Sequence, residues 1–261
     1  IPIFINQLPE PRDANKNHCA SIPDIQQTSR TRYTALFTDW TYFMPLAIFD
    51  LDETLIAADS DHEWGQFVVD KGLVDAEEHT KRNDAFYQQY KAGQLDIDEY
   101  LQFSCSVLTQ YSIEDLHRFR SEFVAQRILP IILDKAQTLV KKHRDQGDTL
   151  LVITSTIEFV TRPIVDQFGI DTLIAPDPEI ISNRYTGRIV GVPSFAAGKV
   201  TRLEQWLAGQ PDSLKGSVFY SDSHNDLPLL RMVDNPVAVD PDPILRLEAE
   251  ENQWPIISLR D

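Results

Sequence analysis

Apolar residues in this chain gather into short unbroken runs separated by stretches with helical spacing. Leu46-Ala47-Ile48-Phe49 is one such run and ends in Asp50. A run without polar alternation is the mark of a strand buried on both faces. Leu150-Leu151-Val152-Ile153 repeats the pattern and ends at Thr154, and Ser217-Val218-Phe219-Tyr220 stops just before Asp222. Shorter strands are expected at 172–175, 236–239 and 255–258, and residues 179–190 read as a hairpin that turns at Ser182 and Asn183. Helices are expected from about 130 to 146 with a stop at Gly147, up to Phe168 with Pro163 bending that helix or sitting in its first turn, from Lys199 through Leu207, and from near Leu227 with Asp226 as its cap. Strands alternating with helices predict an α/β fold: a parallel sheet covered by helices on both faces.

Residues 60–128 break the alternation because they read as helix throughout. Trp64, Phe67 and Val68 fall on one face, Phe86, Tyr87 and Tyr90 on another, and Leu101, Val107 and Leu108 continue the pattern. Asp96 with Glu99 and Ser112 with Asp115 carry helix-start signals, while Gly72 and Gly93 read as stops. The expected organisation is therefore a core of residues 45–59 and 129–261 interrupted by an all-helical cap domain at 60–128. Residues 1–44 have no sustained apolar period and read as a poorly ordered extension, with Met44 as a candidate natural start.

Composition narrows the functional classes. The net charge of -16 over 261 residues repels nucleic acid and anionic lipid. It also repels phosphorylated substrates, unless a metal or a local cation reverses the field at the site. Cys19 and Cys105 make no disulfide framework or metal spacing, and Cys105 reads as a small buried residue. No apolar run approaches the roughly 18 residues that span a bilayer, and the basic start and apolar stretch of a secretory signal are not seen. The expectation is a cytoplasmic protein with no membrane anchor.

Open parallel sheets bind ligands beyond the carboxyl ends of their strands, and here those ends carry reactive residues. Asp50 and Asp52 stand two apart just past a strand. One such carboxylate can attack phosphorus while the other handles the proton of the leaving oxygen. Thr154 offers a hydroxyl near a helix start, suited to a phosphate oxygen. Lys199 supplies the local cation that the acidic chain otherwise lacks. Asp222, in Ser221-Asp222-Ser223-His224-Asn225-Asp226, would join Asp50 in holding Mg²⁺, which prefers oxygen ligands. His224 reads as a loop residue, and His62 and His117 as ordinary helix residues.

These elements in this order resemble the haloacid dehalogenase superfamily, over roughly residues 46–261. Asp50-x-Asp52-x-Thr54, Thr154, Lys199 and Ser221-Asp222-x-x-Asn225-Asp226 carry the resemblance, and the helical insertion looks like the cap of the phosphoserine-phosphatase-like branch (subfamily IB, histidinol-phosphatase-like). The resemblance implies a Rossmann-like core and a magnesium-dependent phosphatase acting on a small phosphorylated metabolite through an aspartyl-phosphate. By that resemblance Asp50 would be the nucleophile and a metal ligand. Asp52 would be the acid and base, with its carbonyl on the metal. Thr154, Ser155 and Lys199 would hold the phosphoryl group, Asp222 the metal, and Asn225 and Asp226 would support the metal's waters and Lys199. Asp59 would read the substrate.

Some positions depart from phosphoserine phosphatases: Ser221 replaces a glycine, Ser155-Thr156 replaces a glycine pair, and Asp59 replaces a longer glutamate. These set the chain apart from phosphoserine while leaving an ammonium-bearing substrate compatible with Asp59. A phosphotransferase or mutase, or a phospholipid headgroup phosphatase, is an alternative on the same fold. Dehalogenation is disfavoured because Asp52, Asp222 and Asp226 form an acid set that serves a cation.

Overall fold

The computed structural model describes residues 44–260 apart from 211 and 212. The expectations for the N-terminal extension, apart from Met44, and for Cys19 lie outside the described residues. In chain order the strands are β1 (Leu46–Phe49), β2 (Thr149–Ile153), β3 (Thr172–Ile174), β4 (Asp177–Ile181), β5 (Arg184–Val190), β6 (Val218–Ser221), β7 (Asn235–Val239) and β8 (Ile256–Ile257). The 6-stranded sheet runs in the order β3-β2-β1-β6-β7-β8, and every pairing in it is parallel. The β1 strand lies inside the sheet, with β2 on one side and β6 on the other. The chain therefore reverses its direction of progress at β1, where a crevice forms beyond the strand ends. The remaining strands, β4 and β5, form a separate antiparallel hairpin. Its turn is at Ser182 and Asn183, both with positive φ (50° and 60°), the conformation that a tight two-residue hairpin requires.

Between β1 and β2 the chain forms α1 (Ser60–Asp70), α2 (Ala76–Lys91), α3 (Ile97–Leu108) and α4 (Ile113–Phe123). The start signals work as expected: Asp96 accepts the N–H of Glu99 at 3.1 Å, and Ser112 accepts that of Asp115 at 3.1 Å. Gly72 and Gly93 each take φ of +66°, a conformation that ends a helix at little cost only for glycine. Trp64 of α1 packs on Phe67, Phe123 and Phe159 with ring centroids 5.6, 5.3 and 5.6 Å away. The inserted helices thus share one continuous apolar core with the sheet.

The helix expected from about 130 begins later, as α5 (Asp134–Gln146). A wide turn at Val124–Ile128 and a tight one at Leu129–Ile131, containing Pro130, precede it. Extended Ile132 then bridges to Ile56, which occupies the backbone that a helix would need. Gly147 closes α5 with φ of 83°. Beyond β2 lies α6 (Glu158–Gln167), with Pro163 in its interior rather than its first turn. Proline lacks an N–H, so the carbonyl of Phe159, four residues earlier, loses its helical partner. Arg120 of α4 donates to that carbonyl at 2.9 Å, satisfying the group from outside the helix.

The chain ends with α7 (Ala197–Leu207), α8 (Leu227–Leu230) and α9 (Pro243–Glu251). Ala47 and Phe49 of β1 face a core shared with α5 and α6, while Leu46 and Ile48 face a second core shared with α7, α8 and α9. Side chains alternate across a strand, so a strand covered on both faces must be apolar at every position. That accounts for the unbroken run from Leu46 to Phe49. No helix among the described residues is long and apolar enough to cross a membrane. Trp64→Ala should cost about 3–5 kcal/mol, the range for truncating a buried aromatic. Chemical denaturation should show a lower midpoint with an unchanged slope.

Candidate functional site

Asp50 stands at the carboxyl end of β1, and its N–H donates to Tyr220 O at 2.9 Å, extending the ladder with β6. One carboxylate oxygen accepts the N–H of Leu51 at 2.9 Å. Lys199 reaches the same point from the first turn of α7. Its Nζ lies 3.1 Å from Asp50 Oδ1 and 2.7 Å from Asp226 Oδ1, with all three side chains at most 4% exposed. The approach depends on the preceding residue: a Cβ on Gly198 would lie 2.0 Å from Pro193 O. Asp226 occupies the start of α8 but makes no capping bond there. Its carboxylate instead takes Lys199 and the hydroxyl of Ser221 at 2.7 Å, so the expected cap role gives way to a charge pairing. Asp222 Oδ1 accepts the hydroxyl of Thr54 at 2.9 Å, and Thr54 in turn accepts the N–H of Asp222 at 3.1 Å. Strands β1 and β6 are locked at the site by that exchange.

Asp52 is held by neutral donors: the N–H of Ser60 at 2.8 Å, the Thr156 hydroxyl at 2.9 Å and the Thr154 hydroxyl at 3.3 Å. Thr154 was expected on a phosphate oxygen. It is fully buried, and its hydroxyl both donates to Asp52 and accepts the N–H of Thr156 at 3.2 Å, because the strand end turns it inward. Ser155 and Thr156 line the cavity beside Asp52. Asn225 does not join the Lys199 network. The short turn at His224–Asp226 directs its amide to Tyr90 O at 3.1 Å and to Ser223 Oγ at 3.3 Å. His224 pairs with Asp242 at 2.8 Å, as expected of a loop residue.

A cavity open to solvent lies beside Asp50 and Asp52. Asp59 lines it and also starts α1, accepting the N–H of His62 at 2.8 Å. Several wall residues were not singled out as site residues from sequence. His62, read as ordinary, lines the cavity and pairs with Asp84 at 3.0 Å. Asp61, Asn83 and Tyr100 also line it. Asp61, two residues past the candidate reader Asp59, was the one detectable signal. For Tyr87 and Tyr90 the helical stripe was seen, but not that it faces the site.

The electrostatics are those of crowded buried carboxylates. Burial raises Asp50 well above the usual carboxylate range, and Asp226, Asp222 and Asp52 add to the rise while Lys199 opposes it. Burial also raises Asp52 against its hydrogen bonds, and pushes Asp222 up to about 8 with help from Glu53. Burial alone would lower Lys199, but Asp226 and Asp50 outweigh it and hold the ammonium protonated above its ordinary range. One lysine does not balance this set. The excess of hard oxygen donors fits a divalent cation such as Mg²⁺ at Asp50 and Asp222. No group of three or more His, Cys, Asp or Glu side chains among the described residues is arranged to hold a metal. Such an ion would therefore complete its shell with other oxygens, as Mg²⁺ commonly does with water.

Residues 47–231 match the family model described as haloacid dehalogenase-like hydrolase. Over 219 residues the chain is 49% identical to a histidinol-phosphatase of Neisseria meningitidis, covering 82% of this chain and 99% of that one. A solved structure of a protein of unknown function from Bordetella pertussis matches with a TM-score of 0.79 at 41% identity, over 84% of this chain and 100% of that one. A phosphoserine phosphatase solved as an analogue of its phospho-aspartyl intermediate shares the fold, with a TM-score of 0.61 at 18% identity over 84% of this chain and 94% of that one. The chain belongs to the haloacid dehalogenase-like hydrolase family and, within it, to the phosphoric monoester hydrolases.

Lys199→Met should destabilise the protein at neutral pH, because Asp50 and Asp226 then face each other without a cation. The deficit should shrink as pH falls and Asp50, raised by its burial, protonates. Denaturant titrations at pH 7.5 and pH 5 measure both effects.

Proposed function

We propose that the protein is a magnesium-dependent phosphatase that hydrolyses a small phosphomonoester, of the histidinol-phosphate or phosphoserine kind, through an aspartyl-phosphate on Asp50. The observation that carries this reading is the buried Lys199 ammonium 3.1 Å from Asp50, a carboxylate that lines a cavity together with Asp52. A nucleophilic carboxylate needs a neutralised phosphate, and Lys199 supplies positive charge where the net charge of -16 opposes it. Residues 60–128 serve as a cap over the core formed by 45–59 and 129–261. Glu53, in the loop after β1, accepts the hydroxyl of Tyr87 at 3.0 Å and pairs with Lys91, so α2 is anchored beside the reacting carboxylates.

In the first step an oxygen of Asp50 attacks phosphorus and the ester oxygen leaves. Asp52, whose burial favours the protonated form, gives its proton to that oxygen. Thr154, Thr156 and the N–H of Ser60 keep Asp52 in place. In the second step ionised Asp52 takes a proton from water, the hydroxide oxygen attacks phosphorus, and phosphate leaves Asp50 free. Lys199 and Ser155 hold the phosphoryl oxygens throughout, and Asp226 with Ser221 keeps Lys199 directed at Asp50. When bound at Asp50 and Asp222, Mg²⁺ supplies further charge neutralisation for the phosphoryl group.

Asp50→Asn should reduce turnover of phosphate monoesters by at least 10³-fold while circular dichroism and melting stay native-like. Near-normal hydrolysis by that variant overturns the nucleophile assignment. Metal linkage gives a second test. A carboxylate raised by folding contributes stability below its unfolded pKa and loses it as pH climbs through the folded value. With Asp222 raised to about 8, the chelator-treated protein should lose stability between pH 5 and pH 8. Added Mg²⁺ should restore it, and Asp222→Asn should flatten both responses in thermal melts.

A further inference from the structure

The wall of the cavity away from Asp50 has a single electrostatic character. Asp59 and Asp61 both line it, and neither lysine nor arginine does among the described residues. Both oxygens of Asp61 accept from Ser104 Oγ, at 3.1 and 2.9 Å, and the residue is 4% exposed. Asp59 accepts a backbone N–H. These donors orient the carboxylates but bring no positive charge. Burial and neighbouring carboxylates raise Asp59, and burial raises Asp61 to about 6. Around them stand the rings of Phe86, Tyr87, Tyr90 and Tyr100, and the imidazole of His62 lies 4.8 Å from the Tyr87 ring.

We propose that this half of the cavity selects phosphomonoesters whose alcohol carries an ammonium or imidazolium and no carboxylate, with Asp61 as the residue that sets the preference. The inference rests on the phosphatase reading above and deepens it. A cation entering between Asp59 and Asp61 supplies the charge that hydroxyl and N–H donors do not, and the aromatic faces attract it further. A substrate carboxylate would instead meet two aspartates with no guanidinium or ammonium to receive it. Histidinol phosphate has an amine, an imidazole and no carboxylate, and so fits this wall. Phosphoserine has the amine but also the carboxylate, and does not.

The test uses the full chain with Mg²⁺ and compares kcat/KM across defined esters. Histidinol phosphate should exceed phosphoserine by at least 100-fold. Phosphoethanolamine should exceed propyl phosphate, its near-isostere without charge, by at least tenfold. In Asp61→Asn that second ratio should fall at least fivefold. Hydrolysis of phosphoserine within tenfold of histidinol phosphate, or parity of phosphoethanolamine and propyl phosphate, overturns the inference and leaves the phosphatase reading standing. An equal loss on both esters in the variant overturns the role of Asp61. Should the variant not fold, the two wild-type ratios decide the question without it. Failure to hydrolyse any ester, p-nitrophenyl phosphate included, sinks the phosphatase reading and this inference with it.

Discussion

A single ammonium group buried among carboxylates governs the organisation of this protein. Lys199 is 2% exposed, and it is held between Asp50 and Asp226. Removing a charge from water costs several kcal/mol, and only close partners with further hydrogen bonds offset that cost. The surrounding sequence supplies those conditions. Gly198 lets α7 approach Pro193 where any side chain would collide. Ser221 gives Asp226 a neutral donor, so that this carboxylate stays directed at Lys199 rather than capping its own helix. The outcome is positive charge at one point on an acidic molecule, beside the carboxylate that ends β1.

The parallel sheet makes that concentration possible. Asp50, Thr154 and Asp222 are far apart in sequence, but they follow β1, β2 and β6, which are neighbours in the sheet. Parallel strands present all their carboxyl ends along one edge, so each strand places its next residue in the same crevice. Strand pairing also sets their spacing, and the Thr54–Asp222 exchange holds two of those ends together. Rigidity here comes from buried backbone ladders rather than from loops.

The helical insertion supplies what the sheet edge lacks, namely walls. Three contacts tie α2 to the strand-end loops: Glu53 with Tyr87, Glu53 with Lys91, and Asn225 with the carbonyl of Tyr90. The aromatic cluster around Trp64 joins α1 to α4 and α6. Arg120 adds a polar link by satisfying the carbonyl that Pro163 leaves free. The insertion is therefore packed against the core rather than merely tethered to it, and α1 and α2 supply much of the cavity wall next to Asp50.

Strands and the carboxylates at their ends were legible in the sequence because their signals are local. A strand buried on both faces has to be apolar at every position, and a reactive residue at its end stands directly beside that run, as with Asp50 after Phe49. Helix caps at Asp96 and Ser112 were legible for the same reason, since cap and partner lie three residues apart. The later start of α5 was not, because Ile132 is held extended by a bridge to Ile56, far away in the chain. Nor was the reorientation of Thr154 toward Asp52, or the place of His62, Asp61 and Tyr100 on the cavity wall. Helical periodicity shows that a face exists but not what it faces, and that depends on how separate elements pack. Short-range spacing therefore determined which reactive groups stand at the strand ends, whereas the packing of distant helices decided which residues wall the cavity beside them.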